Sequence, residues 1–311
     1  MIRTAVLMAT YNGQHFIEKQ LDSIRCQTLK PDYVLLRDDG STDETIKVVN
    51  DYIQKHELLG WSIKKNDKNL GWRLNFRELL NDAMSLDVDI VFFSDQDDVW
   101  YLNKNKRQVT IMEENPQIEL LSADVDIKSL SEEASIPEFK VFSKSQKVSQ
   151  YPKTYEYQTF RPGWTMALRK SYCQKIIANW PSNYNISHDN LLETTASLIG
   201  NGYNLNEAVG LHIRYGDNAS GNSKYILNWK SKKSKHLDGL KTFVNFYKSV
   251  DHISSLYQED EKLKERLQFE EKRLEAAQSN TIQNLIFIIQ KWASYPSQSS
   301  RMRDILFAFK K

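Results

Sequence analysis

Three apolar runs in the first hundred residues each stop abruptly in a polar cluster, and this pattern limits the possible folds more than any other feature of the chain. Ala5-Val6-Leu7-Met8-Ala9 runs into Thr10-Tyr11-Asn12-Gly13. Tyr33-Val34-Leu35-Leu36 ends at Arg37-Asp38-Asp39-Gly40, and Ile90-Val91-Phe92-Phe93 at Ser94-Asp95-Gln96-Asp97-Asp98. A weaker run, Trp61-Ser62-Ile63, lies between the last two. The spacers have helical periodicity: Phe16, Ile17, Leu21 and Ile24; then Ile46, Val49, Tyr52 and Ile53; then Trp72, Phe76, Leu79, Leu80 and Ala83. Ser41 and Glu44 have the Ser-x-x-Glu spacing of a capping box for the second helix. Strand and helix alternate from the start, which predicts a mostly parallel sheet covered on both faces. Ligands bind such sheets beyond the carboxyl ends of the strands. All three polar clusters fall there, so one crevice is expected to gather them.

Ile118 to Val125 reads as a further strand. Residues 126–158, rich in Ser, Lys and Glu, read as loops or a flap over the site. From about residue 235 the chain reads as helical, in segments Leu237 to Tyr257, Asp260 to Gln278, Ile282 to Trp292 and Met302 to Phe309. No apolar stretch approaches the roughly 20 residues that a membrane span needs, and the N-terminus does not resemble a signal peptide. Cys26 and Cys173 lack metal-ligand spacing and read as reduced thiols. These features predict a cytoplasmic protein, or one working at a membrane face reached from the cytoplasm. With 42 basic against 40 acidic residues, the charge balance argues against a nucleic-acid partner.

Asp95-Gln96-Asp97 carries the chemistry. Two carboxylates one residue apart at a strand end face a common cavity, where a divalent cation relieves their repulsion. Such oxygen ligands suit Mg²⁺ or Mn²⁺, which take their remaining ligands from phosphate and water. An acidic turn that caps the next helix is the alternative structural reading.

Thr10-Tyr11-Asn12-Gly13, Arg37-Asp38-Asp39-Gly40-Ser41-Thr42-Asp43, Asn69-Leu70-Gly71 and Ser94-Asp95-Gln96-Asp97-Asp98-Val99-Trp100, in this order, resemble family 2 glycosyltransferases of the GT-A fold. The last motif resembles that of bacterial rhamnosyltransferase-like members that build cell-wall or capsular polysaccharides. The resemblance covers about residues 1–220. It implies a GT-A catalytic domain over 1–225, with a nucleotide-binding half to about 125 and an acceptor half after it. Residues 226–311 then form a helical extension.

The resemblance also implies roles. Ala9, Thr10, Tyr11 and Asn12 line the nucleotide, and Asp39 accepts from the imide of the base. Arg73 approaches the diphosphate, for which a guanidinium is suited, although a solvent-facing helix arginine reads equally well. Asp95 and Gln96 lie at the ribose, Asp97 holds Mn²⁺ or Mg²⁺, and Asp98 and Trp100 shape the sugar pocket. Trp164, in Arg161-Pro162-Gly163-Trp164-Thr165-Met166, lies beneath the donor sugar. Asp189 is the base that deprotonates the acceptor hydroxyl, with His188 positioning it or contacting the donor. A bare acidic residue at a helix N-terminus is the alternative for Asp189.

The sequence departs from the family pattern at His212-Ile213-Arg214-Tyr215-Gly216-Asp217, where Tyr215 stands in the place of a metal-binding histidine. His212 or Asp217 then substitutes, or Asp97, phosphates and water hold the ion alone, the arrangement favoured here. The expected donor is dTDP-rhamnose, with a UDP-hexose or UDP-N-acetylhexosamine as the alternative. The expected acceptor is a lipid-linked glycan. The apolar residues of 282–309, with Arg301, Arg303, Lys310, Lys311 and the cluster Lys230 to Lys235, suit either peripheral membrane contact or a homodimer. A haloacid-dehalogenase-like phosphatase also fits the Asp95 motif, but that motif belongs on a first strand. A non-catalytic nucleotide-sugar-binding protein would not need Asp189, and no GxGxxG follows the first strand to suggest an oxidoreductase.

Overall fold

The computed structural model describes residues 1–129, 139–143, 145–157, 159–214 and 231–310. The expected alternation is present: β1 (Thr4–Thr10), α1 (Ile17–Arg25), β2 (Tyr33–Asp38), α2 (Thr45–Lys55), β3 (Trp61–Lys65), α3 (Trp72–Ala83) and β4 (Ile90–Ser94). There follow β5 (Val99–Trp100), α4 (Lys104–Glu114), β6 (Leu120–Ser129), β7 (Val148–Gln150), β8 (Ala167–Arg169), α5 (Lys170–Ala178), α6 (His188–Ile199) and β9 (Gly202–Arg214). Helices α7 (Lys233–Ser255), α8 (Glu261–Gln278), α9 (Thr281–Gln290) and α10 (Gln298–Ala308) complete the described chain.

All of these strands join one sheet in the order β3-β2-β1-β4-β8-β6-β9-β5, with β7 paired to β9. The period-two alternation of each strand divides the core. Ala5, Leu7, Val91 and Phe93 face α3, α5, α6 and α7, whereas Val6, Met8, Ile90 and Phe92 face α1, α2 and α4. Each large apolar side chain so buried contributes about 1.5–3 kcal/mol. Residues Phe246, Tyr247, Val250 and Ile253 of α7 belong to the first of these cores. A separate small cluster, Phe269, Ile288 and Tyr295, joins α8 to α9. Beside it Arg273 of α8 donates twice to Asp304 of α10, at 2.7 and 3.0 Å, and Tyr295 donates to the same carboxylate at 2.8 Å.

Three expectations are corrected. The sheet is parallel from β3 through β4 and again between β6 and β9. Strand β8 lies antiparallel between β4 and β6, so the acceptor half is mixed. Within 126–158, residues up to Ser129 continue β6 and Val148–Gln150 form β7, because both pair with β9. The capping box does not form. Ser41 Oγ is engaged by Asp38 and by the Asn12 amide, and Asp43 caps α2 by accepting from the Thr45 amide at 3.0 Å.

Candidate active site

The three polar clusters meet at the carboxyl end of the parallel half-sheet, and hydrogen bonds tie them together. The Gln96 side chain accepts from the Tyr11 amide and donates to the Tyr11 carbonyl, both at 3.0 Å, which joins the β4 loop to the β1 loop. Gly13 lies beneath it, and a Cβ there would force the Gln96 side-chain amide to shift. The β1 and β2 loops are joined by Thr10 Oγ1 donating to Asp38 (3.1 Å), the Asn12 amide to Ser41 Oγ (2.8 Å), and the Thr42 amide to Asn12 Oδ1 (2.9 Å). Asn12 adopts φ 48°, a left-handed conformation that asparagine tolerates.

Asp39 is buried and organises a fourth loop. It accepts from the amides of Leu70 (2.7 Å) and Gly71 (2.8 Å) and from Asn66 Nδ2 (2.8 Å). Gly71, at φ 76°, begins α3, which carries Arg73. Three of the acceptor positions of Asp39 are therefore occupied by protein. Of the residues expected at the nucleotide, Tyr11 and Asn12 are exposed, Ala9 is half-buried and Thr10 is buried. Arg73 stacks on Trp72 at 5.1 Å, and its buried Nε has no hydrogen-bond partner.

Negative charge gathers past β4. Burial, then the charges of Asp98 and Asp97, push the Asp95 carboxyl well above the ordinary carboxylate range; His212 opposes this shift and Asp189 adds to it. Asp98 is bound by His212 Nδ1 at 2.7 Å and by the Ile213 amide at 3.3 Å. Any ligation of a cation by that ring therefore runs through Nε2, an arrangement in which a carboxylate fixes the tautomer. Among the described residues no group of three or more His, Cys, Asp or Glu side chains converges as the ligand set of one ion. Crowded carboxylate oxygens suit Mg²⁺ or Mn²⁺, with phosphate and water able to complete the shell. Tyr215 and Asp217 lie outside the described residues.

Asp189 sits in the first turn of α6, where its Oδ1 accepts from Ser187 Oγ and from the Asn190 amide (2.9 Å). His188 makes no side-chain hydrogen bond to Asp189. It is buried in an aromatic box of Phe76 (4.1 Å), Phe93 (4.9 Å) and Trp72 (5.9 Å between ring centres), over Gly163, whose lack of a Cβ makes room for it. Neither ring nitrogen has a hydrogen-bond partner, and burial lowers its pKa against the opposing charge of Asp189. This box sets the N-terminus of α6 against the end of β4.

Trp164 is placed differently from the expected donor contact. It is fully buried, its ring against Gly210 and 6.2 Å from His212, so it supports the site from behind. Trp100 is likewise core. Sequence reasoning missed Lys104. It is fully buried at the start of α4, with Nζ 4.5 Å from the ring centre of Phe92 and 3.9 Å from that of Trp100, and burial lowers its pKa well below the ordinary value. A lysine at a helix start carries no sequence signal of burial.

Residues 5–177, more than half of the chain, match the family described as glycosyl transferase family 2. The chain belongs to that family. Among curated members, it is 35% identical over 102 residues to the dTDP-rhamnosyl transferase RfbG of Shigella flexneri, a match covering 33% of this chain and 35% of that protein. It is 31% identical over 125 residues to the UDP-Gal:alpha-D-GlcNAc-diphosphoundecaprenol beta-1,3-galactosyltransferase of Escherichia coli, covering 39% and 43% of the two chains. The chain thus spans about a third of the first relative's length and under half of the second's. Among solved structures, S. aureus TarS 1-349 in complex with UDP-GlcNAc superposes with a TM-score of 0.62 at 17% identity, over 98% of this chain and 79% of that one. The mannosyltransferase PcManGT from Pyrobaculum calidifontis, in complex with GDP-Man and Mn2+, gives 0.52 at 16% identity, over 99% and 86%. These likenesses establish the GT-A fold for this family 2 member.

Proposed function

We propose that the chain is an inverting glycosyltransferase that moves a sugar from a nucleoside-diphosphate donor to a hydroxyl of a glycan. The observation that carries this reading is the hydrogen-bonded junction of three strand ends, with the α6 N-terminus and Asp189 set against the third. Residues 1–225 form the catalytic domain and 226–311 its helical extension. Ala9 and Tyr11 line the base. Asp39 acts first by holding Asn69-Leu70-Gly71, and its remaining acceptor position serves the base imide. Asp95 binds the ribose, Gln96 holds its loop against β1, and Arg73 faces the diphosphate.

Asp189 takes the proton of the acceptor hydroxyl as that oxygen attacks the anomeric carbon, help worth about 10²–10⁴-fold. Asp97 is the residue assigned to hold Mg²⁺ or Mn²⁺, with His212 Nε2 the other candidate. When bound, the ion supplies Lewis-acid stabilisation of the leaving diphosphate. No covalent intermediate on the protein is needed.

The donor is dTDP-rhamnose. This choice is supported by the name of RfbG and by that of a second relative, the O-antigen chain rhamnosyltransferase RfbN of Salmonella typhimurium, 31% identical over 96 residues. The Escherichia coli galactosyltransferase supports a UDP-hexose as the second reading, and its diphosphoundecaprenol substrate supports a lipid-linked acceptor. Such an acceptor places the work at the cytoplasmic face of the membrane. Among the described residues no helix is long and apolar enough to cross a membrane. Calorimetric titration with dTDP, UDP, GDP and CDP, with and without Mn²⁺, tests the reading. Binding of one diphosphate, tightened by metal in wild type but not in Asp97→Ala, is the expected result. Binding of none would remove the nucleotide site and with it the proposed activity.

A further inference from the structure

Helices α9 and α10 form an antiparallel hairpin on the outside of the molecule, tied at one end by Thr281 Oγ1 donating to the Ala308 carbonyl (2.9 Å) and at the other by Arg301 over the Trp292 ring (4.9 Å). Helix α9 is apolar on both its inner and its outer side. Ile288 is buried with Leu285 and Phe287 packed beside it, while Ile282, Ile286 and Ile289 stand outward on successive turns, 71%, 48% and 71% exposed. Trp292, Met302 and Phe309 extend the apolar surface along the hairpin, at 46%, 51% and 65% exposure.

The charge around this surface is one-sided. Between residues 279 and 310 the basic residues are Lys291, Arg301, Arg303 and Lys310. The sole acid there is Asp304, which is buried against Arg273 and His236 and presents no charge to the outside. At the Phe309 end, Lys310 borders a depression of about 640 Å³ whose other lining residues are Lys232, Lys233, Ser234 and Leu237. Asp238, nearby, is paired with Lys241.

We propose that the α9–α10 hairpin docks on a bilayer that contains anionic lipid, with the isoleucine ridge and Trp292 entering the headgroup boundary and the lysines and arginines meeting lipid phosphates. Apolar side chains on one helical face, an aromatic at the edge and basic residues beside them are the features that hold a helix in the interfacial plane. A second copy of the chain suits the surface less well. A two-fold contact sets each patch against itself, and here that brings like charges together with no exposed acid within residues 279–310 to meet them. The inference extends the lipid-linked acceptor proposed above, but vesicle binding needs neither donor nor acceptor, so its failure leaves the transferase reading intact.

The test is co-sedimentation of the full chain with phosphatidylcholine vesicles and with vesicles that also contain phosphatidylglycerol, at low and high salt. The expected result is binding to the anionic vesicles alone, weakened by salt. Ile286→Ser combined with Ile289→Ser should reduce it on the order of tenfold. A second variant, Lys232→Gln with Lys291→Gln, leaves the apolar ridge intact and should cost about fivefold per charge removed. Unchanged nucleotide binding and melting temperature identify both variants as folded. No binding by wild type, or equal binding by the isoleucine variant, overturns the proposal. So does self-association in sedimentation velocity that the isoleucine variant abolishes while vesicles bind nothing, since the ridge would then be a contact between copies.

Discussion

Gln96 and Tyr11 exchange two hydrogen bonds of 3.0 Å across the crevice, so a side chain at the end of β4 holds the backbone at the end of β1. The loop expected to carry the nucleotide base is thereby fixed by the loop expected to carry the metal. Gln96→Ala removes both bonds and leaves the Tyr11 amide and carbonyl to water. Nucleoside-diphosphate affinity should fall about tenfold, for a net loss of roughly 1–2 kcal/mol, with little change in melting temperature. Calorimetry beside a thermal melt separates the two.

Asp39 accepts from two consecutive backbone amides and from Asn66. Asp39→Asn keeps the shape but replaces one acceptor oxygen by a donor, which must then face an N–H. Stability should drop by about 2 kcal/mol, the cost of a buried charge-assisted bond replaced by a clash of donors. Urea denaturation of the two proteins measures it; equal midpoints would mean that the 69–71 loop does not depend on this carboxylate.

Asp189→Asn retains an acceptor for the Asn190 amide but cannot take a proton. Release of nucleoside diphosphate from the donor in the presence of acceptor should slow by about 10²–10⁴-fold, while the affinity for the diphosphate itself stays within a factor of about two. A variant that loses binding and turnover together would show that the residue holds the fold of the site rather than serving as base.

His188 is kept neutral by burial, so its folded pKa lies below the ordinary 6.5. A base with a depressed folded pKa contributes stability that is present above its unfolded pKa and is lost as pH falls through the folded value. The melting temperature should therefore decline as pH drops below about 6.5. In His188→Phe, which keeps an aromatic ring but has no titrating group, that part of the decline should vanish. Melts at pH 7 and pH 5 on both proteins give the comparison.

The half-sheet from β3 to β4 was readable in the sequence because each strand is a run of apolar residues long enough to show and ends in residues that cannot remain in a core. The meeting of the three polar clusters was readable for the same reason, since all of them lie at carboxyl ends of neighbouring strands. Strand β8 was not. Ala167–Arg169 is three residues long and follows a 3-10 turn at Gly163–Thr165, so it offers no period to detect, and its antiparallel insertion depends on pairing with two distant strands. The Ser41–Glu44 capping box failed because Asp38 competes for the same hydroxyl, a contact set by the β2 turn and invisible in the spacing. Trp164 illustrates a third kind of loss. Its place in a loop motif suggested ligand contact, but which way an indole points is decided by the space that Gly210 leaves open.

The junction of loops has an evolutionary corollary. Asp38, Ser41 and Gln96 spend their side-chain polar groups on neighbouring loops and backbone, and Asn66 spends its own on Arg37, Asp39 and Asn75, whereas the exposed side chain of Tyr11 takes no part in these bonds. Framework and contact surface are thus encoded at separate positions a few residues apart. Under the proposed function, exchanges at the Tyr11 ring change which ligand enters without loosening the scaffold, so preference among ligands is free to drift between sibling proteins while the architecture is inherited whole.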